Sequence, residues 1–64
     1  MTIGEMIRSE RISQAMSQTE LATKSNMLQS DISRIETGGR QMKIRTLYRI
    51  ARALDIHPAN LFPD

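Results

Sequence analysis

Residues 17–40 read SQTELATKSNMLQSDISRIETGGR. Ser17 followed by Glu20 fits a capping box, in which hydroxyl and carboxylate each satisfy an amide at the start of a helix. Leu21 and Ala22 then point inward, and the helix stops near Ser25-Asn26, because Asn tolerates the left-handed conformation that ends helices. A second helix spans about residues 29–37, with Gly38 as the expected left-handed stop. Only Asn26-Met27-Leu28 join the two, and so short a joint forces a sharp crossing. Projected at about 100° per residue, Leu28, Ile32 and Ile35 gather on one side of the second helix. Ser30, Ser33, Arg34 and Thr37 gather opposite, and Gln29 sits at the exposed N-terminal flank. The outward side is a row of hydrogen-bond donors and acceptors on a short rod.

The flanking segments supply the rest of a core. Thr2 and Glu5 form another capping box, opening a helix over about 2–14 with Ile3 and Ile7 inward and Met6 beside them. In TLYRIARALD, Leu47, Ile50, Ala51 and Leu54 fall at i, i+3, i+4 and i+7, one buried stripe of a helix over about 46–54. A last short helix, 58–62, begins at His57-Pro58, since proline suits the first helical position, and Leu61 and Phe62 close it. The predicted core is Ile3, Ile7, Met16, Leu21, Ala22, Met27, Ile32, Ile35, Ile44, Leu47, Ile50, Ala51, Leu54, Ile56 and Leu61. The five methionines read as gap-fillers. The expected fold is all-α: one compact five-helix domain over residues 1–64.

Composition excludes several function classes. A chain of 64 residues buries only about 60% of the surface it exposes when unfolded, so its core must be compact. With no cysteine there is no disulfide framework or thiolate metal site. One histidine makes no metal or acid–base cluster, and His57 reads as a helix cap. One Tyr and one Phe are too few for an aromatic platform for single strands. No run approaches the roughly 20 apolar residues of a membrane span, and no secretory signal pattern is present. No nucleophile–base–acid set or phosphate loop is visible, so an enzyme is not expected, nor is a cofactor.

The net charge of +2 is unevenly placed. Residues 1–33 carry Arg8, Arg11 and Lys24 against Glu5, Glu10, Glu20 and Asp31, a net −1. Residues 34–52 carry Arg34, Arg40, Lys43, Arg45, Arg49 and Arg52 against Glu36 alone, a net +5. A basic stretch in a near-neutral chain suits a polyanion-binding face; the alternative is a solvated helix face. Arg45, Arg49 and Arg52 form an i, i+4, i+7 stripe. Arg45 is placed to reach phosphate, and Arg49 and Arg52 read as solvated or at a subunit boundary.

From Ile3 to Phe62 the chain resembles the Cro and phage-repressor type of helix-turn-helix DNA-binding domain, the lambda-repressor-like or XRE-like family. The residues that carry the resemblance are Ser17-Gln18, Leu21-Ala22, Ser33, Ile35-Glu36 and Gly38, then Leu47, Ile50-Ala51 and Leu54. The resemblance implies roles. Gln18 matches a residue that touches phosphate and braces the first base-reading glutamine, here Gln29, which can bond adenine N6 and N7. Ser30, Ser33 and Arg34 fall among the base contacts, where Arg can bond guanine O6 and N7. Thr37, Gly38, Arg40, Lys43 and Arg45 follow the sugar–phosphate backbone. Arg11 and Glu36 match a structural ion pair bridging the first and third helices. Dimer contacts fall to Ile56, Leu61 and Phe62 in the C-terminal turn.

The chain departs from the family at three places. Ala15 stands where the loop after the first helix usually has Gly, and Met42 where Pro is common. Leu28 occupies the usual Ser/Thr cap of the third helix and cannot accept an amide; Asp31 either caps from the first turn or accepts from cytosine N4. The implied function is a sequence-specific, double-stranded DNA-binding transcription regulator, a repressor reading a palindromic operator through the major groove as a homodimer. It would be cytoplasmic, in a bacterial or phage setting at the nucleoid. The alternatives are a DNA-binding antitoxin with a toxin partner, a restriction–modification controller, or a helical adaptor that keeps the fold and binds protein.

Overall fold

The structure, a computed structural model, describes residues 1–39 and 41–62. Its elements are α1 (Ile3–Ser13), α2 (Gln18–Lys24), α3 (Gln29–Thr37), α4 (Ile44–Ala53) and a 3-10 turn (Pro58–Leu61). The described residues are all helix and loop, and the expected fifth helix is a single 3-10 turn. Its backbone closes by i→i+3 bonds, Asn60 N to His57 O at 2.9 Å and Phe62 N to Ala59 O at 3.3 Å. Phe62 is already extended (φ −82°, ψ 126°), as a residue preceding a proline prefers.

Both predicted capping boxes form. Thr2 Oγ1 accepts from Glu5 N at 3.1 Å and Glu5 Oε1 from Thr2 N at 2.7 Å. Ser17 Oγ accepts from Glu20 N at 3.0 Å and Glu20 Oε1 from Ser17 N at 3.2 Å. Accepting the Thr2 backbone N–H holds the Glu5 carboxyl below its ordinary pKa. His57 Nδ1 accepts from Ala59 N at 3.1 Å and caps the 3-10 turn.

All four α-helices end alike. A left-handed residue follows each: Ala15 (φ 54°), Asn26 (φ 59°), Gly38 (φ 80°) and Asp55 (φ 57°). The next residue donates back five positions: Met16 to Arg11 O (3.0 Å), Met27 to Ala22 O (2.8 Å), Gly39 to Arg34 O (2.9 Å) and Ile56 to Ala51 O (3.0 Å). This is the Schellman closure, which satisfies end carbonyls and turns the chain sharply. Ala15 adopts the conformation that Gly holds elsewhere in the family, at a cost of roughly 1–2 kcal/mol.

The core is Ile7, Met16, Leu21, Ala22, Ile32, Ile35, Leu47, Ile50, Ala51, Leu54 and Leu61. Burying each large side chain among these contributes about 1.5–3 kcal/mol. Ile3, Met27 and Ile56 are half-buried at its edge, with Met6 and Met42, so Met42 fills space where the family often has Pro. Ile44, expected in the core, is 60% exposed. It lies in the first turn of α4, which starts two residues earlier than expected, and Ile44 flanks the mouth of a groove instead of entering the core. Leu28, expected beside Ile32 and Ile35, is 68% exposed because it stands outside α3 as its extended N-cap (ψ 149°).

Contacts at both ends fix α1 against its neighbours. Gln14 Nε2 donates to Leu54 O at 2.7 Å, tying the end of α1 to the end of α4. At the other end, Gly4 is buried on the C-terminal part of α3. A Cβ at Gly4 would overlap the Ile35 carbonyl oxygen and sit 3.0 Å from the Glu36 carbonyl oxygen. Only a glycine lets the two backbones approach this closely.

Candidate nucleic-acid interface

α3 divides cleanly. Ile32, Ile35 and Glu36 are buried, whereas Gln29, Ser30, Arg34, Thr37 and Gly38 are exposed and Ser33 is half-buried. Leu28 supplies no cap, and Asp31 Oδ2 accepts from Leu28 N at 3.3 Å. The carboxylate thereby serves the first turn, where negative charge suits the helix dipole. The Thr37 hydroxyl donates to its own helix, to Ser33 O at 3.0 Å and Arg34 O at 3.2 Å. Its oxygen keeps acceptor capacity, but the proton a phosphate contact would use is taken.

Beneath this surface lies a buried ion pair. Arg11 Nε donates to Glu36 Oε2 at 2.7 Å and Arg11 Nη2 to Glu36 Oε1 at 3.0 Å. The side chains are 11% and 1% exposed. Arg11 Nη1 also donates to Met16 O at 2.8 Å, so one guanidinium joins α1, the α1–α2 loop and α3. The hydrogen bonds to Glu36 hold the Arg11 pKa above its ordinary value, against the opposing effect of burial. Such a pair is costly to break, since removing one partner strands the other.

The pair continues toward the surface. Gln18 Nε2 donates to Glu36 Oε1 at 3.1 Å, and Gln29 Nε2 donates to Gln18 Oε1 at 2.6 Å. Gln18 and Gln29 thus meet at the N-terminal ends of α2 and α3, and Gln29 remains solvent-facing.

Lys43 is the exposed N-cap of α4 and Arg45 is exposed in its first turn. Arg40 lies outside the described residues. Arg49 and Arg52 share a groove with Lys24, Ser25 and Asn26, separate from the Gln18–Gln29 contact. At the C-terminus Leu61 is fully buried, spent on its own chain's core, and Ile56 is half-buried. Phe62 keeps 47% of its surface exposed and lines an apolar groove with Ile3, Ile35, Met42, Ile44 and Leu47. Leu61 therefore offers no contact surface to a second copy.

Sequence reasoning missed two residues here, Gly4 and Leu28. A glycine inside the first turn of a predicted helix is the signal for a close backbone approach. Angular projection places Leu28 inward, and it fails at a cap where the backbone is no longer helical. Among the described residues no cluster of His, Cys, Asp and Glu could hold a metal ion, and no helix is long and apolar enough to cross a membrane.

The helix-turn-helix family model matches residues 7–61. The chain is 40% identical over 65 residues to the HTH-type transcriptional regulator y4dL of Sinorhizobium fredii, over 95% of this chain and 33% of that protein. It thus spans about a third of the length of that relative. Its fold is similar to the restriction-modification controller protein C.AhdI of Aeromonas hydrophila: TM-score 0.92, 33% identity, 94% of this chain and 91% of that one. It is also similar to the N-terminal DNA-binding domain of SinR from Bacillus subtilis: TM-score 0.87, 28% identity, 97% and 91% of the two chains.

Proposed function

The chain belongs to the helix-turn-helix family, and from that premise we propose that it is a sequence-specific regulator of transcription that reads double-stranded DNA with α3 in the major groove. The observation that carries this reading is the braced Gln29: an exposed amide at the start of α3, held by Gln18, on a helix whose opposite face is buried. Gln29, Ser30, Ser33 and Arg34 read base edges. Leu28, exposed beside Gln29, offers the apolar surface that suits a thymine methyl. Gln18, Gly38, Arg40, Lys43 and Arg45 follow the phosphates; Thr37, whose hydroxyl proton its own helix holds, drops out of that set. The basic charge of residues 34–52 supplies the sequence-independent part of the affinity.

A domain this small reads few base pairs, so two copies on half-sites about 34 Å apart give the usual solution. The homodimer forms through the C-terminal turn. Phe62 and Ile44, both exposed on one apolar groove, replace the buried Leu61 as its contact residues, with Ile56 at the edge. Occupying a palindromic operator in this way blocks access to it, which makes the protein a repressor.

Selection from random duplexes tests the reading. The expected result is one enriched motif with two-fold symmetry and an affinity that falls steeply with salt as phosphate contacts release counterions. No enrichment, with a flat salt response, overturns it in favour of a protein-binding adaptor.

One alternative has a specific observation behind it. The likeness to C.AhdI, at TM-score 0.92 and 33% identity against 0.87 and 28% for the SinR domain, favours control of a restriction–modification operon. An enriched motif lying upstream of a methyltransferase–endonuclease gene pair would support that version; an antitoxin would instead have its motif upstream of a toxin gene.

A further inference from the structure

The hydrogen bonds beneath α3 run in one chemical direction. Arg11 donates to both Glu36 oxygens, at 2.7 and 3.0 Å. A carboxylate only accepts, so Gln18 must turn its NH2 group toward Glu36 (3.1 Å). That leaves the Gln18 carbonyl oxygen facing the other way, toward Gln29. The Gln29 NH2 group must therefore face Gln18 (2.6 Å). Reversing either amide would set oxygen against oxygen; at the Gln18–Glu36 contact, with Glu36 buried and Gln18 half-buried, water has little access to relieve the clash, and at the exposed Gln18–Gln29 contact the reversal forfeits the 2.6 Å bond. One orientation is left for Gln29: its carbonyl oxygen and its second N–H point outward.

We infer that Glu36, through Gln18, fixes the polarity of the Gln29 amide and so selects the base edge that Gln29 accepts. Glu36 is a positioning residue and touches no DNA. An outward acceptor beside an outward N–H matches adenine, which offers the N6 donor and the N7 acceptor side by side. Guanine offers two acceptors, O6 and N7, and would set O6 against the Gln29 carbonyl. The buried carboxylate therefore rejects guanine at a base pair it never meets. This rests on the reading of α3 as the DNA-reading helix.

Glu36→Gln would not test this, because Arg11 Nη2 and Gln18 Nε2 share the Oε1 oxygen and an amide oxygen in that place keeps Gln18 as it is. Replacing the pair, Arg11→Met with Glu36→Leu, removes the acceptor without stranding a charge. Gln18 then has no carboxylate to face, its amide turns either way, and Gln29 presents either edge outward.

The test measures the binding ratio for two duplexes that differ, A·T against G·C, at the base pair read by Gln29. That pair is identified as the position of the selected motif at which Gln29→Ala flattens the preference. Proteins are wild type, the Arg11→Met/Glu36→Leu pair variant, Gln18→Met and the triple variant, each assayed below its melting temperature. Wild type is expected to prefer adenine by on the order of 10- to 100-fold. The pair variant should bring the ratio within about threefold of unity. Gln18→Met, which leaves the Arg11–Glu36 pair intact, should also weaken the preference, and adding the pair substitutions to it should change the ratio no further. A merely structural role for Glu36 would weaken both duplexes alike, and an unchanged ratio in the pair variant or in Gln18→Met overturns the inference. So does a pair-variant effect that persists without Gln18. If wild type selects no motif at all, it is the DNA reading that fails, which the first measurement already distinguishes.

Discussion

Gly4→Ala sets two physical effects against each other with opposite signs. Helix propensity alone favours the substitution, because glycine inside a helix costs about 0.5–1 kcal/mol relative to alanine. Exposed to solvent, the change would raise the melting temperature by roughly 4 °C, at about 4–8 °C per kcal/mol for a domain of this size. The structure says otherwise. The new methyl would overlap the Ile35 carbonyl and press on that of Glu36. Both are backbone atoms that cannot swing aside, so α1 must lift from α3. Overpacking of this kind costs about 1–3 kcal/mol, toward the upper end where the obstacle is backbone. The net effect is a loss of about 2 kcal/mol and a fall of roughly 8–16 °C. The total stability expected of 64 residues is only about 3–10 kcal/mol, so the loss is large. Thermal unfolding followed by far-ultraviolet circular dichroism, with urea midpoints alongside, measures it. An unchanged or raised melting temperature would refute the close α1–α3 crossing, and with it the geometry that brings Arg11 to Glu36.

Four further outcomes follow from the same coordinates. Ala15→Gly relieves a left-handed alanine costing about 1–2 kcal/mol but loosens the unfolded chain by about 0.4–1 kcal/mol. It should stabilise by about 0.5–1 kcal/mol, and a lowered melting temperature contradicts the Schellman turn there. Arg11→Met strands a buried carboxylate and should cost about 3–5 kcal/mol, whereas Arg11→Met with Glu36→Leu should recover most of it; equal urea midpoints for the single and double variants would contradict this. Arg34→Ala should cost about 1–3 kcal/mol on the selected site and relax one base pair, while Lys43→Ala should weaken all duplexes alike; gel-shift titrations on matched and mismatched duplexes separate the two. Glu5 has a folded pKa below its unfolded value of about 4.3, so its contribution is complete above that value and is lost as pH falls through the folded one. The melting-temperature gap between wild type and Glu5→Gln should persist at neutral pH and change only on acidification, and a gap that changes above about pH 6 refutes the assignment.

The sequence disclosed whatever depended on local pattern. The capping boxes at Thr2–Glu5 and Ser17–Glu20, the bounds of α3 and the stripe of α4 each follow from spacing within one turn or two. It failed where the outcome depended on another element. Leu28 looked inward because the projection extends a helix past its own end. Ile44, placed in the core ahead of a helix expected to begin at residue 46, stands exposed in the first turn of α4 instead. Leu61 stood both in the expected core and among the expected dimer contacts, and its complete burial leaves it only the first role. The α1–α3 crossing at Gly4 is invisible in principle to single-segment reasoning, since it is a distance between two backbones 31 residues apart, Gly4 to Ile35. The candidate site was legible as a row of side chains, and the Arg11–Glu36 pair and the Gln18 brace on Gln29 through the family resemblance; the Gln18–Glu36 bond that joins them was not.

Those hydrogen bonds bear on how so short a helix can read anything. An isolated helix of nine residues is marginal in water, and α3 begins with a leucine that caps nothing. Its order must come from its buried side: Ile32 and Ile35 in the core, the Asp31 carboxylate on the first turn, the α1 backbone at Gly4, and Arg11 on Glu36. The same contacts that make α3 a helix set where Gln29 stands. If α3 reads DNA as proposed, stability and readout are coupled through one carboxylate, and a change that loosens the Arg11–Glu36 pair should blur base preference before it unfolds the domain. The ordering is measurable. In a series of pair variants graded by melting temperature, the discrimination ratio at the Gln29 base pair should fall while the folded fraction at the assay temperature is still near one. If discrimination holds until unfolding begins, the pair serves the fold alone.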